Sequence, residues 1–274
     1  MEPKVSIITV CYNSINTIKQ TMQSVLAQTY PNVEYIIIDG GSTDGTLDVI
    51  KELENENVKW ISEPDKGIYD AMNKGIRMAS GDWIHFRNCG DYFLSKETLR
   101  NVFESNLIPD NIGIVTGDCY FVNNDGYIVE TPRVLDVSYR KAMPFHHPAT
   151  FVRSDIQKEH LFNLKYSSSA DYALFFDLLS HSIEYLYIPI VIATFEEGGF
   201  SSNYKRAFFQ NAEIQGRMNS VFSRLLVNIN FCKGQILEKG KSLISNLPLI
   251  KDFIFYRRKL NGRVKNPLPI HYDY

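Results

Sequence analysis

The first ninety residues alternate short, continuously apolar runs with segments of helical period, which is the sequence form of βαβ units and a largely parallel sheet. VSIITVCY (5–12) and VEYIIIDG (33–40) are too short and too evenly apolar for surface helices, and their Val and Ile content suits buried strands. Between them, residues 14–28 set Ile15, Ile18, Met22, Val25 and Leu26 on one helical face. A second helix is expected from Thr43, where Thr and Asp can cap free amides ahead of Leu47, Ile50 and Leu53. Residues 58–62 read as a third strand, 67–79 as a third helix and WIHF (83–86) as a fourth strand.

Beyond residue 90 the order becomes mixed. A helix is expected over 95–105, a strand pair over 112–123 and 126–130 turning at Asn124-Asp125-Gly126, a strand over 149–153 and a helix over 170–180. The apolar run 185–195 is interrupted by Pro189. From about 205 the helices mix basic and apolar residues, as in VFSRLLVNINFC (221–232) and LIKDFIFYRRKL (249–260). The expected fold class is therefore α/β, a Rossmann-like mixed sheet flanked by helices over 1–204, with a mainly helical extension over 205–274.

Charge supports that division. The formal net charge of −2 argues against a dedicated nucleic-acid binder. It conceals 16 basic against 27 acidic side chains in 1–204, net −11, and 13 against 4 in 205–274, net +9. Cys11, Cys89, Cys119 and Cys232 form no CxxC pair, so a reducing compartment is the simpler reading. The start MEPKVSIITV lacks the marks of a secretory signal, and no run of about 18 apolar residues is present, so a cytoplasmic protein without a transmembrane helix is expected.

In an open α/β sheet, ligands bind at the carboxyl ends of the strands, and here those ends are polar. The first ends in Cys11-Tyr12-Asn13-Ser14 and the second in Asp39-Gly40-Gly41-Ser42-Thr43-Asp44. A carboxylate there can accept hydrogen bonds from a base or a ribose, while glycines admit close backbone approach. The same stretch reads equally as a turn with a helix cap. The fourth strand ends in Arg87-Asn88-Cys89-Gly90-Asp91, where a carboxylate could hold a divalent cation against a diphosphate or cap the next helix.

Together, VSIITVCYNS, YIIIDGGSTDGT and SEPDKGIYDAMNKGIRMASGDWIHFRNCGDYF resemble the nucleotide-sugar domain of family 2 inverting glycosyltransferases, which have the GT-A fold. The likeness continues more weakly through His146-His147-Pro148-Ala149-Thr150-Phe151, Ser169-Ala170-Asp171-Tyr172 and Glu197-Gly198-Gly199-Phe200-Ser201. The resemblance implies that Tyr12 and Asn13 lie by the donor nucleotide, that Asp39 reads the base, and that Asp44 lies near the ribose or its supporting loop. Asp65, Lys66 and Gly67, with Asp70, Asn73 and Gly75, match the stretch that closes over the donor. Where such families carry Asp-x-Asp, this chain has Asn88-Cys89-Gly90-Asp91, so both motif aspartates are replaced and a Mn or Mg ion would rest on Asp91, with Asn88 offering a neutral oxygen. His147 would face the site as a metal or phosphate ligand or as a donor to the leaving diphosphate, although a His pair beside Pro is also a common loop-packing feature.

The family position of the general base falls on Asp171, which on its residues alone could equally cap its helix; Asp177 reads as a solvent-facing helix residue. The implied reaction is a single displacement that moves a sugar from a nucleoside-diphosphate donor to a hydroxyl of a glycan or lipid-linked acceptor, as in surface polysaccharide biosynthesis. The altered metal motif keeps open a nucleotide-sugar or glycan binding protein that has lost catalysis. A nicotinamide-dependent oxidoreductase fares poorly, because CYNS stands where GxGxxG would follow the first strand. The basic tail suits peripheral attachment to an anionic membrane and equally suits a helical cap on the catalytic domain or a homo-oligomer interface.

Overall fold

The computed structural model describes residues 2–104, 107–123, 126–135, 137–196 and 204–245. Its strands are β1 (Val5–Cys11), β2 (Val33–Asp39), β3 (Val58–Ser62), β4 (Trp83–Phe86), β5 (Ile112–Asn123), β6 (Gly126–Glu130), β7 (Thr150–Arg153) and β8 (Glu184–Glu196). The helices are α1 (Ile18–Leu26), α2 (Thr46–Leu53), α3 (Ile68–Met78), α4 (Thr98–Phe103), α5 (Ser154–Glu159), α6 (Ala170–Ser180), α7 (Tyr204–Ile214) and α8 (Val221–Ser245). One sheet runs in the order β3-β2-β1-β4-β7-β5-β6, with β8 paired to the other side of β5. β1 to β4 are mutually parallel, and β7 enters antiparallel between β4 and β5. The expected mixed sheet flanked by helices is what the chain forms.

Alternation along the strands makes two cores. Val5 and Ile7 of β1 and Ile37 of β2 pack with Ile18, Met22 and Ile50 from α1 and α2. Ile8, Ile36, Ile38 and Phe86 pack on the other face with Met72 and Ile76 of α3 and Phe175 and Leu178 of α6. Covering both faces explains why these strands carry unbroken apolar runs. At their amino ends the buried Glu34 of β2 accepts from Ser6 Oγ of β1 at 2.7 Å, Ser80 N at 2.8 Å and Lys59 Nζ of β3 at 2.6 Å, which ties three strands to the loop after α3.

Some boundaries differ from expectation. The first helix begins at Ile18 because Thr17 N and Ile18 N both turn back to Ser14 O, which leaves Ile15 exposed. The second begins at Thr46, since residues ahead of it are held in a loop by Asp39 and Asp44. Pro189 does not break β8: among the described residues the strand's ladder is with β5, Thr194 alone adding a bridge to Tyr92, and register shifts on either side of Asp118 absorb the missing donor. The short α5 was not expected. Tail residues 249–260, the Asn124-Asp125 turn pair and Glu197-Gly198-Gly199-Phe200-Ser201 lie outside the described residues.

Candidate active site

Asp39 closes β2 and is fully buried. Its Oδ2 accepts from Gly41 N at 3.0 Å, Ser42 N at 2.9 Å and Ser62 Oγ at 2.6 Å. Burial alone would push the carboxyl up, but Ser42, Ser62 and Gly41 outweigh it and hold it below the usual carboxylate range. Asn13 takes a positive φ of 48° and braces the neighbouring loop, its N donating to Ser42 Oγ at 2.7 Å and its Oδ1 accepting from Thr43 N at 3.0 Å. Asp44 completes that brace: Oδ1 accepts from Thr46 Oγ1 at 2.6 Å and Oδ2 from Ile15 N at 3.0 Å. Both oxygens of Asp44 are thus engaged in holding the loop. Tyr12, 64% exposed, presents its ring at the rim.

Gly40 brings the rim together. A Cβ there would lie 2.6 Å from Asp65 Oδ2 and 3.3 Å from the Tyr12 ring, so only glycine lets both side chains stand over the end of β2. Asp65 Oδ1 in turn accepts from Gly67 N at 2.7 Å, and Gly67 has a φ of 111° where the chain swings into α3. Lys66 is exposed on that turn, with its N donating to Asp70 Oδ2 at 3.0 Å.

Asn73 is 4% exposed, and its amide bonds the backbone of Phe162, donating to the carbonyl and accepting from the N–H, both at 2.9 Å. It clamps α3 to the segment before α6, with one amide N–H and one lone pair beyond those two bonds.

At the end of β4 the chain turns through Asn88 to Asp91, with Asp91 N donating to Asn88 O at 2.9 Å and Thr21 Oγ1 donating to Asp91 O at 3.1 Å. Asn88 Oδ1 is buried and has no partner among the described residues. Burial pushes the Asp91 carboxyl up to about 7, against the pull of the Arg87 cation. Arg87 is wholly buried, 3.8 Å over the Phe93 ring, and donates to His85 Nε2 at 2.8 Å. Burial and the Arg87 charge hold His85 well below its ordinary value, so it stays neutral. The orphan amide oxygen of Asn88 and the carboxylate of Asp91, three residues apart in the chain, are hard-oxygen donors of the kind that suits Mg or Mn. They are incomplete alone: among the described residues, no three His, Cys, Asp or Glu side chains are arranged to hold a metal. A divalent cation would need the oxygens of a bound diphosphate.

A second cluster stands across from these loops. Asp171, in the first turn of α6, accepts from Tyr69 Oη at 3.1 Å and from Tyr172 N at 2.9 Å, both at Oδ1. Burial and the Asp171 charge push the Tyr69 phenol up, so Tyr69 remains a protonated donor. His147 packs edge-on or tilted among Phe86 at 5.1 Å, Phe162 at 5.7 Å and Phe175 at 6.0 Å. Burial holds it below its ordinary value, with the Asp171 charge opposing. His147 therefore feels the Asp171 charge, and among the described residues it joins no group of three His, Cys, Asp or Glu side chains that could hold a metal. His146 turns away, its Nε2 against Thr131 O at 3.2 Å. Asp177 pairs with His160 Nδ1 at 2.7 Å, away from this group. Tyr69 is the site residue that sequence reasoning passed over, although it sits inside the quoted KGIYDAMNKG stretch.

A buried carboxylate and loop amides at strand ends can seat a nucleotide, and a carboxylate with one oxygen fixed by a phenol can take a proton. Comparison with known proteins gives the family and the fold. A profile described as Glycosyl transferase family 2 matches residues 6–158. An uncharacterized glycosyltransferase of Mycobacterium tuberculosis is 40% identical over 104 residues, which is 38% of this chain and 40% of that relative, so the chain matches well under half of its length. A PGL/p-HBAD biosynthesis glycosyltransferase of Mycobacterium bovis is 28% identical over 94% of this chain and 98% of its own. The UDP-Glc:alpha-D-GlcNAc-diphosphoundecaprenol beta-1,3-glucosyltransferase of Escherichia coli is 28% identical over 66% of this chain and 72% of its own. Among solved structures, the mannosyltransferase of Pyrobaculum calidifontis in complex with GDP-Man and Mn2+ has a TM-score of 0.63 at 16% identity, covering 95% of this chain and 88% of its own. S. aureus TarS 1-349 in complex with UDP-GlcNAc also gives 0.63, at 19% identity over 77% of this chain and 66% of that one, so both share the fold. With the profile spanning more than half the chain and the expected sheet in place, the protein belongs to glycosyltransferase family 2.

Proposed function

We propose that this chain moves a sugar, with inversion, from a nucleoside-diphosphate-sugar to a hydroxyl of a glycan or lipid-linked acceptor. The observation that carries the reading is Asp171, whose Oδ1 is fixed by Tyr69 and by Tyr172 N while Oδ2 accepts no hydrogen bond among the described residues and can take a proton. Asp171 takes the acceptor's hydroxyl proton and the acceptor oxygen forms the new bond to the anomeric carbon. The bond from that carbon to the diphosphate breaks, and the nucleoside diphosphate leaves from the opposite face with the electron pair. Tyr12, Asp39 and the loop braced by Asn13 and Asp44 seat the nucleotide, and Asp65, Lys66 and Gly67 close over the diphosphate. Asp91 and Asn88 would hold Mn or Mg, which when bound offsets the negative charge that grows on the leaving group. His147 faces the reacting region from the Asp171 side.

The intact Asp171 cluster favours an enzyme over a binding protein that has lost catalysis. The diphosphoundecaprenol acceptor in the name of the Escherichia coli relative supports a lipid-linked acceptor, polysaccharide assembly and a place on the cytoplasmic face of a membrane. A thermal-shift panel of nucleotide sugars, each with and without Mn or Mg, tests the donor class. One nucleotide sugar should stabilise the protein strongly and more so with metal; a flat panel would refute the reading.

A further inference from the structure

Helix α8 carries two apolar faces. Val227 is 3% exposed, and the Phe231 ring packs on α7, 5.3 Å from both Phe208 and Phe209. The other face is bare: Val221 is 85% exposed, Phe222 70%, Leu225 56%, Leu226 44% and Ile229 40%. Spacings of one, four, five and eight residues from Val221 place all five on one stripe of the helix. A run of large apolar side chains facing water marks a surface meant for a partner.

The charge of this region selects the partner. Residues 205–274 carry 13 basic and 4 acidic side chains, while 1–204 carry a net −11, so the segment of sequence that contains the stripe is basic. Arg217, Arg224 and Lys233 lie along or just before the same helix. A second copy docked stripe to stripe would bring two such basic segments together, which like-charge repulsion opposes. An anionic bilayer satisfies both features at once, taking apolar side chains below its headgroups and cations among them. No helix among the described residues is long and apolar enough to cross a membrane, so the contact is interfacial. The stripe is also joined to the catalytic segment through α7: Ser168 N donates to Gln210 Oε1 at 3.0 Å, Gln215 Nε2 donates to Tyr172 Oη at 2.7 Å, and Lys165 pairs with Glu213.

We propose that α8 is a membrane-docking helix, with Val221, Phe222, Leu225, Leu226 and Ile229 sunk into the interface of an anionic bilayer and the surrounding Lys and Arg side chains on its headgroups. This deepens the function proposed above, because it sets Asp171 near a surface where a lipid-linked acceptor resides. The experiment is flotation of the full chain with vesicles of phosphatidylcholine alone and of phosphatidylcholine with phosphatidylglycerol, beside the double variant Leu225→Glu/Ile229→Glu. Wild type should float with the anionic vesicles only and be released by high salt. The variant, at exposed positions and checked for an unchanged circular dichroism spectrum, should lose more than about tenfold of its partitioning. Equal flotation with neutral vesicles, no flotation, a variant that floats like wild type, or a wild-type dimer that the variant dissolves would each overturn the proposal. Flotation is read without donor or acceptor, so a flat nucleotide-sugar panel beside positive flotation would defeat the transferase reading alone.

Discussion

Tyr69→Phe isolates the contact that fixes Asp171, the proposed base. The substitution removes one hydroxyl and keeps the ring, whose centroid lies 5.4 Å from that of Phe162, so packing is preserved. What is lost is the donation to Asp171 Oδ1 at 3.1 Å. A hydrogen bond to a charged group contributes about 1.5–3 kcal/mol, which at about 1.4 kcal/mol per tenfold would correspond to roughly 10- to 150-fold in rate. Tyr172 N still donates to the same oxygen at 2.9 Å, so the carboxylate is not orphaned, and the loss should fall near the lower end, about tenfold. Steady-state transfer with the identified donor should show kcat reduced by that factor, with KM for the donor unchanged. An unaltered kcat, or a loss carried wholly by donor KM, would refute the claim that Tyr69 acts through Asp171.

Gly40→Ala should weaken the donor cradle: its Cβ would stand 2.6 Å from Asp65 Oδ2, forcing Asp65 off Gly67 N and raising the donor dissociation constant by about tenfold or more in a calorimetric titration. Unchanged affinity would remove Asp65 and Gly40 from donor binding. Glu34 should make stability depend on pH at the acid end. Burial would push this carboxyl up, but Lys59, Ser6 and Ser80 outweigh it and hold it down to about 2, below its unfolded value. A depressed carboxylate stabilises the fold above its unfolded pKa of about 4.3 and loses that contribution as pH falls toward about 2, here of order 2–3 kcal/mol. Urea unfolding across that window should show the loss in wild type and a flattened dependence in Glu34→Gln.

The parallel half of the fold was legible because β1, β2 and β4 are buried on both faces and carry runs that no surface helix would carry. β8 was harder, since Pro189 reads as an interruption unless its ladder is known to run along β5, with shifted register around Asp118. Asp39 and Asp171 could be placed from strand-end and helix-start logic together with the family likeness. Tyr69 was hidden because an aromatic residue at a helix start reads as core; it is indeed 9% exposed, and only the fold brings its hydroxyl to Asp171 across 102 residues. The bonds of Asn73 to the Phe162 backbone were not legible either, because they join residues 89 apart in the sequence. His147 could not be assigned from a His-His-Pro run, because its surroundings are aromatic rings contributed by β4, α6 and the segment before α6.

The central claim is that Asp171 is the base of an inverting transfer. Asp171→Asn keeps the shape of the side chain, so donor binding measured by thermal shift or calorimetry should match wild type. Transfer to acceptor should fall by at least about 10²-fold, the low end of what positioned proton abstraction contributes. Near-normal transfer by the variant, with donor binding intact, would contradict the account.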